Sequence, residues 1–539
     1  MASNVFRTNS PSATGSGAGA IQWIESRRLL ALAAITLCGA FLRLQGLNAQ
    51  PLWLDEVVSL NNALVFGRGG LRALAGADHI APLHSMLLWA VVNLGGESAV
   101  WLRLPSVLFG IATIPAVFVM AKRLFCSART ALIAAALVAV SPYAIWYSQE
   151  ARMYSLFLLF ACLYVVVAWP VVSRSLGLLE LSALTFITTA GLYTHHYMIM
   201  LTVAFGLFLV SRGGLMQKRA WAWLATQILS LLLFSYWLYL TADKLDAIAG
   251  FPKPGILMWV PYTLFNFVFG FSLGPSVREI REAGTSAAML HHGLVIAIAA
   301  AAMGLICLAG VWRALRSETR TAGIWLATWL IVPILIALLA TFVTNIGYNS
   351  RYVIVSYPPM VLFLALGLEQ VLSGFSQVDA RSGPAAVRRR MGSMRWLLAA
   401  AFALLAACTA VALYNSYTDE AYAKEEVRPL AHLLSAKRDA GIFIVADNAH
   451  IEPVLLYYGA SLPPDFLAID NAIPGHTADA VLQNFDKRMT APPVEIWLLQ
   501  YRTWEADPQA SLKRRVEQVG SLIERRDWAG VSLSRYRVR

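Results

Sequence analysis

The sequence predicts a polytopic α-helical membrane protein that ends in a small α/β domain, and three observations lead to this fold class. Of the 539 residues, 58% are hydrophobic and only 14% are charged, which is too apolar for an ordinary soluble protein. Apolar runs long enough to cross a bilayer recur as far as about residue 414. Beyond about residue 415, charged residues become frequent and the apolar runs become short.

The apolar runs predict about eleven spans within a transmembrane domain of residues 29–414. The spans are 29–47, 104–121, 130–147, 154–172, 176–193, 197–211, 221–241, 288–312, 322–343, 353–372 and 396–414. Residues 1–28 are predicted to be a disordered cytoplasmic leader, because most of this segment is rich in Ser, Gly and Ala.

Lysine and arginine residues mark alternate connections between the spans. Arg27 and Arg28 precede the first span, and every second connection after it is basic. Basic connections stay in the cytoplasm, so the N-terminus is predicted to be cytoplasmic and residues 415–539 to lie outside. The net charge of +12 is therefore mainly a topology signal and argues against nucleic-acid binding. The five cysteines fall within spans or on an inner connection, so no disulfide framework is expected.

Three long stretches outside the spans are predicted to share the outer side. Residues 48–103 hold two adjacent carboxylates and an amphipathic piece at 83–94, and are expected to form a platform over the bundle. Residues 242–287 are expected to be a loop with helical fragments, typical of a lid or binding element. In 415–539, helix-like and strand-like segments alternate, which predicts a small α/β domain with a largely parallel sheet. Residues 415–539 contain no nucleotide-binding motif and no catalytic-triad spacing. A structural or acceptor-guiding role is therefore favoured for this domain.

Polar residues at the ends of spans converge on the predicted outer face. Charge is costly in so apolar a chain, which makes these residues functional candidates. The cluster consists of Asp55, Glu56, His79, His84, Gln149, Glu150, Arg152, Tyr154, His195, His196, Arg351 and Tyr352. The adjacent acids Asp55 and Glu56 either cap a helix, or one accepts a proton while the other holds a cation or orients a partner. The surrounding His, Glu and Arg residues favour catalysis.

Parts of this cluster allow more than one interpretation. It contains four imidazoles, those of His79, His84, His195 and His196. Their spacings match no closed zinc signature, so hydrogen bonding to substrate or to neighbouring helices is favoured, with a divalent metal as the alternative. Arg351 and Tyr352, at the start of the tenth span, suit either phosphate binding by a charge-assisted fork or anchoring at the membrane interface.

Several motifs, in this order along the chain, carry a family resemblance. They are Trp53-Leu54-Asp55-Glu56, His79-Ile80-Ala81-Pro82-Leu83-His84, Trp101-Leu102-Arg103-Leu104-Pro105-Ser106, Ser141-Pro142-Tyr143, Tyr147-Ser148-Gln149-Glu150-Ala151-Arg152-Met153-Tyr154, Tyr193-Thr194-His195-His196-Tyr197 and Ser350-Arg351-Tyr352. With them the chain resembles the membrane-embedded glycosyltransferases of the C fold (GT-C), which use lipid-phosphate-linked sugars. The resemblance is to the bacterial group related to protein O-mannosyltransferases and lipid A aminoarabinose transferases. It covers nearly the whole membrane region.

The resemblance implies inverting transfer of a sugar from a polyprenyl-phosphate-linked donor to a hydroxyl of a glycolipid, polysaccharide or protein. The reaction would occur at the outer face of a bacterial inner membrane, with the C-terminal domain in the periplasm. Asp55 is then the expected general base, and Glu56 would steady the acceptor or a cation. Arg152 and Arg351 would stabilise the leaving phosphate. The residues expected to bind substrate are these two arginines with His79, His84, Glu150, Tyr154, His195, His196 and Tyr352. No nucleotide cofactor is required, because the donor is already activated.

A polytopic transporter or lipid-linked sugar flippase is the competing class, because it would also use many spans and buried charges. Such a protein would place its key polar residues near the bilayer midplane, whereas this sequence keeps them at span ends. A non-catalytic assembly protein is a further alternative, and it predicts that Asp55→Asn leaves function unchanged.

Overall fold

The structure is a computed structural model that describes residues 15–78, 80–214, 217–242, 256–316, 318–343, 348–376, 385–436, 442–471, 473, 475–491 and 493–539. The helices of the membrane region are α1 Gly15–Leu44, α2 Leu54–Ala77, α3 Leu83–Gly95, α4 Ala99–Phe125, α5 Ala128–Ala139, α6 Pro142–Ser148, α7 Tyr154–Ala168, α8 Leu178–Thr194, α9 Met198–Ser211, α10 Lys218–Leu240, α11 Ile256–Phe269, α12 Val277–Ala283, α13 Thr285–His291, α14 Gly293–Ala314, α15 Arg320–Val343, α16 Tyr357–Ser376 and α17 Ala385–Thr418. Short 3₁₀ helices cover Trp169–Val172, Ser350–Ser356 and Glu420–Tyr422.

The protein is a multi-pass membrane protein, and helices occupy all eleven predicted spans. Seven helical segments in the described ranges are long and apolar enough to cross a bilayer alone: Ala99–Phe125, Tyr154–Val172, Lys218–Leu240, Gly293–Ala314, Arg320–Val343, Ser350–Leu372 and Arg395–Thr418. The bent pair of α5 and α6 makes an eighth if it is counted as one span. Predicted spans 29–47, 176–193 and 197–211 coincide with α1, α8 and α9, but α8 has only 17 residues and α9 only 14.

The third predicted span, 130–147, is not one continuous helix. Its two halves, α5 and α6, meet at an angle of 57°. Pro142 has no N–H to offer the carbonyl of Val138 four residues earlier, so the helical ladder stops there. The Ser141 side chain then caps α6 by accepting the N–H of Ala144. The turn that follows is short, because α6 continues to Ser148 and α7 starts at Tyr154.

A buried arginine of α1 stabilises this break. Arg43 donates to the carbonyls of Val138 and Ala139, both at 3.0 Å, and to Ser148 Oγ at 3.1 Å. These bonds give the buried guanidinium its hydrogen-bond acceptors. They also pair carbonyls that lack an N–H donor four residues later because the helix breaks here. On the other side, α4 approaches so closely that a Cβ on Gly110 would overlap Ser148 Oγ. The break therefore fixes the position of α6 and of the turn that follows it.

The C-terminal domain is the predicted small α/β unit, but its sheet is mixed rather than largely parallel. Its elements are α18 Arg428–Ala436, β1 Ile442–Ala446, α19 Ile451–Tyr457, β2 Leu467–Ala468, α20 Ala478–Arg488, β3 Glu495–Tyr501, α21 Thr503–Ala506, α22 Ser511–Val519, β4 Gly520–Trp528 and β5 Val531–Val538. The strand order is β2-β1-β3-β5-β4, with β1 parallel to β2 and β3, and β5 antiparallel to β3 and β4. The β4 edge strand is mostly exposed and rich in charge, so it lacks the apolar pattern that would have predicted it.

One hydrophobic core joins this domain to the predicted platform of residues 48–103. Val57 and Leu60 of α2 belong to the same buried cluster as Leu430 of α18 and Trp497 of β3. The junction also contains polar contacts, such as the Tyr458 hydroxyl, which accepts the Leu52 N–H at 2.7 Å. The domain is thus docked on the segment that carries the acid pair.

Candidate active site

Asp55 lies in the first turn of α2, where the helix dipole favours a carboxylate. Its Oδ2 accepts a hydrogen bond from Arg351 Nη1 at 2.7 Å and lies 3.9 Å from Arg152 Nη2. One-fifth of the Asp55 side chain remains exposed. Burial is the largest influence on the pKa of Asp55 and raises it, but the charges of Arg351, Arg152 and Arg502 together hold the pKa below its usual range. Asp55 is therefore ionised at neutral pH and can accept a proton once Arg351 is drawn away.

Arg152 belongs to the turn between α6 and α7, and the turn is held from two sides. Ser106 Oγ of α4 donates to the Arg152 carbonyl at 3.0 Å. The guanidinium Nη1 of Arg152 donates to the Asp55 carbonyl at 3.2 Å and to Ser59 Oγ at 3.1 Å. Burial is the largest influence on the pKa of Arg152 and lowers it, but Asp55 and Tyr154 together raise it above its usual value, so the residue stays cationic.

Arg351 lies in the 3₁₀ helix Ser350–Ser356 that precedes α16. The Asn349 side chain fixes the start of this helix by accepting the Arg351 N–H at 3.1 Å. The Nε atoms of Arg351 and Arg152 are both buried, and neither has a hydrogen-bond partner among the residues that the structure describes. The guanidiniums of Arg351 and Arg152 thus face the one carboxylate of Asp55, and each has an Nε donor available for a further hydrogen bond. This arrangement has a local excess of positive charge and suits an anionic ligand such as a phosphate.

Aromatic side chains form one wall of the site. The His195 ring lies 6.1 Å from Tyr154 and 4.7 Å from Tyr197, and Tyr197 lies 5.5 Å from Tyr352, all measured between ring centroids. The His196 ring is next to that of His195, at 5.1 Å. Arg152 and Arg351 lie 5.9 and 5.6 Å from the centroids of the Tyr154 and Tyr352 rings, so the wall is continuous with the cationic pair.

The two described histidines deepest in this region are neutral. Burial is the main cause that holds the pKa of His195 well below its usual range, and His196 and the arginines add to it. Its Nδ1 accepts the Tyr197 N–H at 3.3 Å, which leaves Nε2 to carry the proton. Burial and the charge of Arg152 lower the pKa of His84 to about 3. His79 lies outside the described residues.

Glu56 occupies a different environment from the one predicted for it. Its carboxylate is fully buried and accepts two hydrogen bonds from Arg103, each at 2.7 Å. It also accepts the Ala151 N–H at 2.9 Å and a bond from Lys424 Nζ at 3.1 Å. Burial raises the pKa of Glu56, but Lys424 and Arg103 lower it to about 2. These contacts suit a residue that holds α2, α4 and the Arg152 turn together, and the predicted role of Glu56 beside an acceptor or a cation stays a prediction.

Lys424 and Arg502 reach the site from the C-terminal segment, and sequence reasoning missed both. Lys424 Nζ lies 3.5 Å from the Glu150 carboxylate as well as 3.1 Å from Glu56, and is nearly equidistant from the Trp53 and Trp146 rings, at 5.7 and 5.6 Å. Burial raises the pKa of Glu150, and Lys424 is the largest influence that opposes this. Residues 56 and 424 are 368 positions apart, so no local motif links them.

Arg502 follows β3 in the left-handed backbone region, with φ of +46°. Its guanidinium lies 5.5 Å from the Trp53 ring centroid, and its Nε donates to Glu425 at 2.7 Å. Because Trp53 directly precedes α2, this contact brings the charge of Arg502 close to Asp55, whose pKa it helps to lower. The C-terminal domain therefore contributes to the electrostatics of the site.

The comparisons with known proteins agree with this architecture. Residues 78–239 match the family model described as dolichyl-phosphate-mannose-protein mannosyltransferase. No curated protein sequence matches the chain.

Solved structures match over nearly the full length of the chain. ArnT from Cupriavidus metallidurans in the apo state has a TM-score of 0.54 and 14% identity, covering 96% of this chain and 98% of that chain. The same protein bound to undecaprenyl phosphate has a TM-score of 0.51 and 12% identity, with 94% and 97% covered. The archaeal oligosaccharyltransferase AglB from Archaeoglobus fulgidus, in complex with an inhibitory peptide and a dolichol-phosphate, has a TM-score of 0.53 and 12% identity, with 95% and 74% covered. The predicted GT-C fold is confirmed.

Proposed function

We propose that the protein is an inverting glycosyltransferase that moves a sugar from a polyprenyl-phosphate-linked donor to a hydroxyl of a glycolipid, polysaccharide or protein. The observation that carries this proposal is the ionised Asp55 between two guanidiniums that keep unpaired N–H donors. The fold adds support, since the similar ArnT structure is bound to undecaprenyl phosphate and the similar AglB structure to a dolichol-phosphate. The alternation of basic connections supports a reaction at the outer face of a bacterial inner membrane.

The cationic pair provides the donor site. A polyprenyl phosphodiester carries one negative charge, which Arg351 and Arg152 bind through Nε donors that have no hydrogen-bond partner among the described residues. The aromatic wall of Tyr154, Tyr197 and Tyr352 supplies flat apolar surface beside the phosphate for the sugar ring. No nucleotide is needed, because the phosphodiester itself is the leaving group.

Donor binding also activates the base. When Arg351 turns towards the phosphate, Asp55 loses the closest of the cations that lower its pKa. The carboxylate then accepts the proton of the acceptor hydroxyl while the hydroxyl oxygen attacks C1 of the sugar on the face opposite the phosphate. The bond between C1 and the phosphate oxygen breaks, its electron pair leaves with polyprenyl phosphate, and the configuration at C1 inverts. The two arginines stabilise the charge that develops on the departing phosphate.

The Asp55→Asn variant tests the proposal. Asparagine fills the same space but cannot take the proton, so release of polyprenyl phosphate by purified protein should fall roughly 10²- to 10⁴-fold. The substrate is a synthetic polyprenyl-phosphate sugar, supplied with cell-envelope glycolipid as acceptor. Glu97→Gln, an exposed carboxylate near the same junction, should keep wild-type turnover. Normal turnover by Asp55→Asn would overturn the assignment of the base.

The sugar and the acceptor are identified together by mass spectrometry of envelope glycans and glycolipids from cells with and without the gene. A mass that disappears with the gene, and returns with wild type but not with Asp55→Asn, gives both at once. Accumulation of an intact sugar-linked lipid on one membrane face, with no lost glycoconjugate, would favour a flippase instead.

A further inference from the structure

A second cluster of ligating side chains lies away from the Asp55 site, on the loop between α11 and α14. Glu279 belongs to α12, His291 is the last residue of α13, and His292 directly precedes α14. The Glu279 carboxylate Oε2 lies 2.9 Å from His292 Nε2, and one ligand atom from each of the three residues lies within 4.8 Å of the other two. Across the described ranges, this is the one group of three or more His, Cys, Asp or Glu side chains with such spacing.

The backbone of the loop holds this cluster in place. Ser276 caps α12 by accepting the N–H of Glu279 at 3.1 Å, which fixes the first turn of that helix. Gly284, with φ of +82°, makes the reversal between α12 and α13 that a residue with a side chain would adopt only under strain. The chain therefore folds back, and Glu279 meets the end of α13 and the start of α14.

The chemistry of the three side chains suits a transition metal. Zn²⁺ binds imidazole nitrogen and carboxylate oxygen at about 2.0–2.2 Å, so neighbouring ligand atoms in a tetrahedral site lie roughly 3.4 Å apart. The Glu279–His292 pair is already near that separation. His291 is exposed and can rotate to close the remaining distance. Two nitrogen donors and one oxygen donor favour zinc-like ions over Mg²⁺ or Ca²⁺, which prefer oxygen ligands.

We propose that Glu279, His291 and His292 bind one Zn²⁺-like divalent ion, with water completing the coordination. The ion would brace the loop that supports the C-terminal segment at the Asp55 site. Arg278, next to Glu279, donates to the Ala423 carbonyl at 3.1 Å, and the Tyr422 hydroxyl donates to the Gly274 carbonyl at 2.6 Å. These two contacts hold the chain directly before Lys424.

The test is a Co²⁺ titration of the intact, tag-free protein in detergent after metal removal, followed by the visible absorption of bound Co²⁺. Wild type should bind one equivalent that Zn²⁺ displaces and that Mg²⁺ and Ca²⁺ do not. Glu279→Gln and His292→Asn should each weaken binding roughly tenfold or more. Zn²⁺ should also raise the thermal unfolding midpoint of wild type by a few degrees, and this shift should be lost in both variants.

Two matched variants serve as controls. Glu282→Gln removes an exposed carboxylate from α12, the helix that carries Glu279, and His432→Asn removes an exposed imidazole from α18. Both should bind Co²⁺ as wild type does. His291→Asn, at an exposed position, should lose binding without changing the metal-free unfolding midpoint, which separates ligation from folding. The proposal fails if wild type binds no stoichiometric Co²⁺, or if the variants at 279, 291 and 292 bind it undiminished. The readout is metal binding, so it is independent of the proposed glycosyl transfer.

Discussion

Asp55 and Glu56 are neighbours in the chain, yet the first turn of α2 directs them to different partners. Successive residues of an α-helix point about 100° apart. Asp55 therefore meets Arg351 at the partly open site, while Glu56 meets Arg103 and Lys424 in the interior. The sequence motif predicts that the pair is important, but the partners lie 296, 47 and 368 positions away, and only the fold tells the two roles apart.

Glu56→Gln should therefore mainly lower the stability of the fold rather than act directly on the reaction. The substitution leaves Arg103 buried without its counter-charge and Lys424 with only Glu150, and breaking a buried ion pair in this way costs about 3–5 kcal/mol. We expect a lower thermal unfolding midpoint and faster proteolysis than in wild type, measured in detergent. Asp55→Asn should keep the wild-type midpoint within a few degrees. If Glu56→Gln instead unfolds like wild type but loses turnover, Glu56 acts in the reaction itself.

Arg351→Gln should shift the pH dependence of the reaction. Arg351 lowers the pKa of Asp55, so removal of its charge lets that pKa rise. The acid limb of the pH profile of kcat/KM reports this ionisation and should therefore move to higher pH. The KM for the donor should also increase, because a phosphate ligand is lost. Arg72→Gln, an exposed change on the same helix α2, should alter neither quantity. An unmoved acid limb would mean that Asp55 is not the titrating group.

Among the elements, the break between α5 and α6 positions the turn that carries Arg152. The sequence pattern predicts one continuous span here, although Ser141 and Pro142 together are a helix-start signal that could have revealed the break. The stabilisation of the break does not follow from the sequence, because the carbonyls are satisfied by Arg43, 95 and 96 positions earlier in α1. Arg43 lies in the last turn of α1, and the sequence alone does not show which carbonyls it bonds.

Gly110→Ala tests how much the site depends on this break. The added methyl group would overlap Ser148 Oγ, which bonds to Arg43, and overpacking of this kind costs about 1–3 kcal/mol. We expect a lower unfolding midpoint, and a reduced rate of polyprenyl phosphate release as the Arg152 turn shifts. Gly304→Ala in α14 is the matched control, since a Cβ there meets nothing within 4 Å. Equal behaviour of the two variants would show that α4 and α6 can separate at little cost.

At the scale of the whole molecule, the membrane domain and the C-terminal domain share one site. The sequence predicts both domains, and the GT-C fold of the chain is confirmed. The sequence does not predict the hydrophobic core common to α2, α18 and β3, because nothing in any one segment identifies the other two as its packing partners. Lys424 was equally hidden, as one of many charged residues after the last span.

Lys424→Met should loosen the junction between the domains. Glu150 loses its nearest cation and Glu56 loses one of two, which we expect to cost about 1–3 kcal/mol. Limited proteolysis of the intact protein should then cleave faster around residues 419–427, and turnover should fall. Lys487→Met, an exposed change on α20, should leave both rates unchanged. Unchanged cleavage in Lys424→Met would mean that the hydrophobic core alone holds the domain in place.

The Asp55–Arg351 ion pair also bears on how a catalytic cycle ends. In the proposed reaction the spent lipid would be a phosphate monoester with more negative charge than the donor, so the two arginines would retain it more tightly than the donor. Once Asp55 had passed its proton to solvent, it would again be an anion able to accept the 2.7 Å hydrogen bond from Arg351. The Asp55 carboxylate would then compete with the phosphate of the spent lipid for the Arg351 guanidinium. We therefore expect the same carboxylate that starts the transfer to help eject its by-product and reset the enzyme.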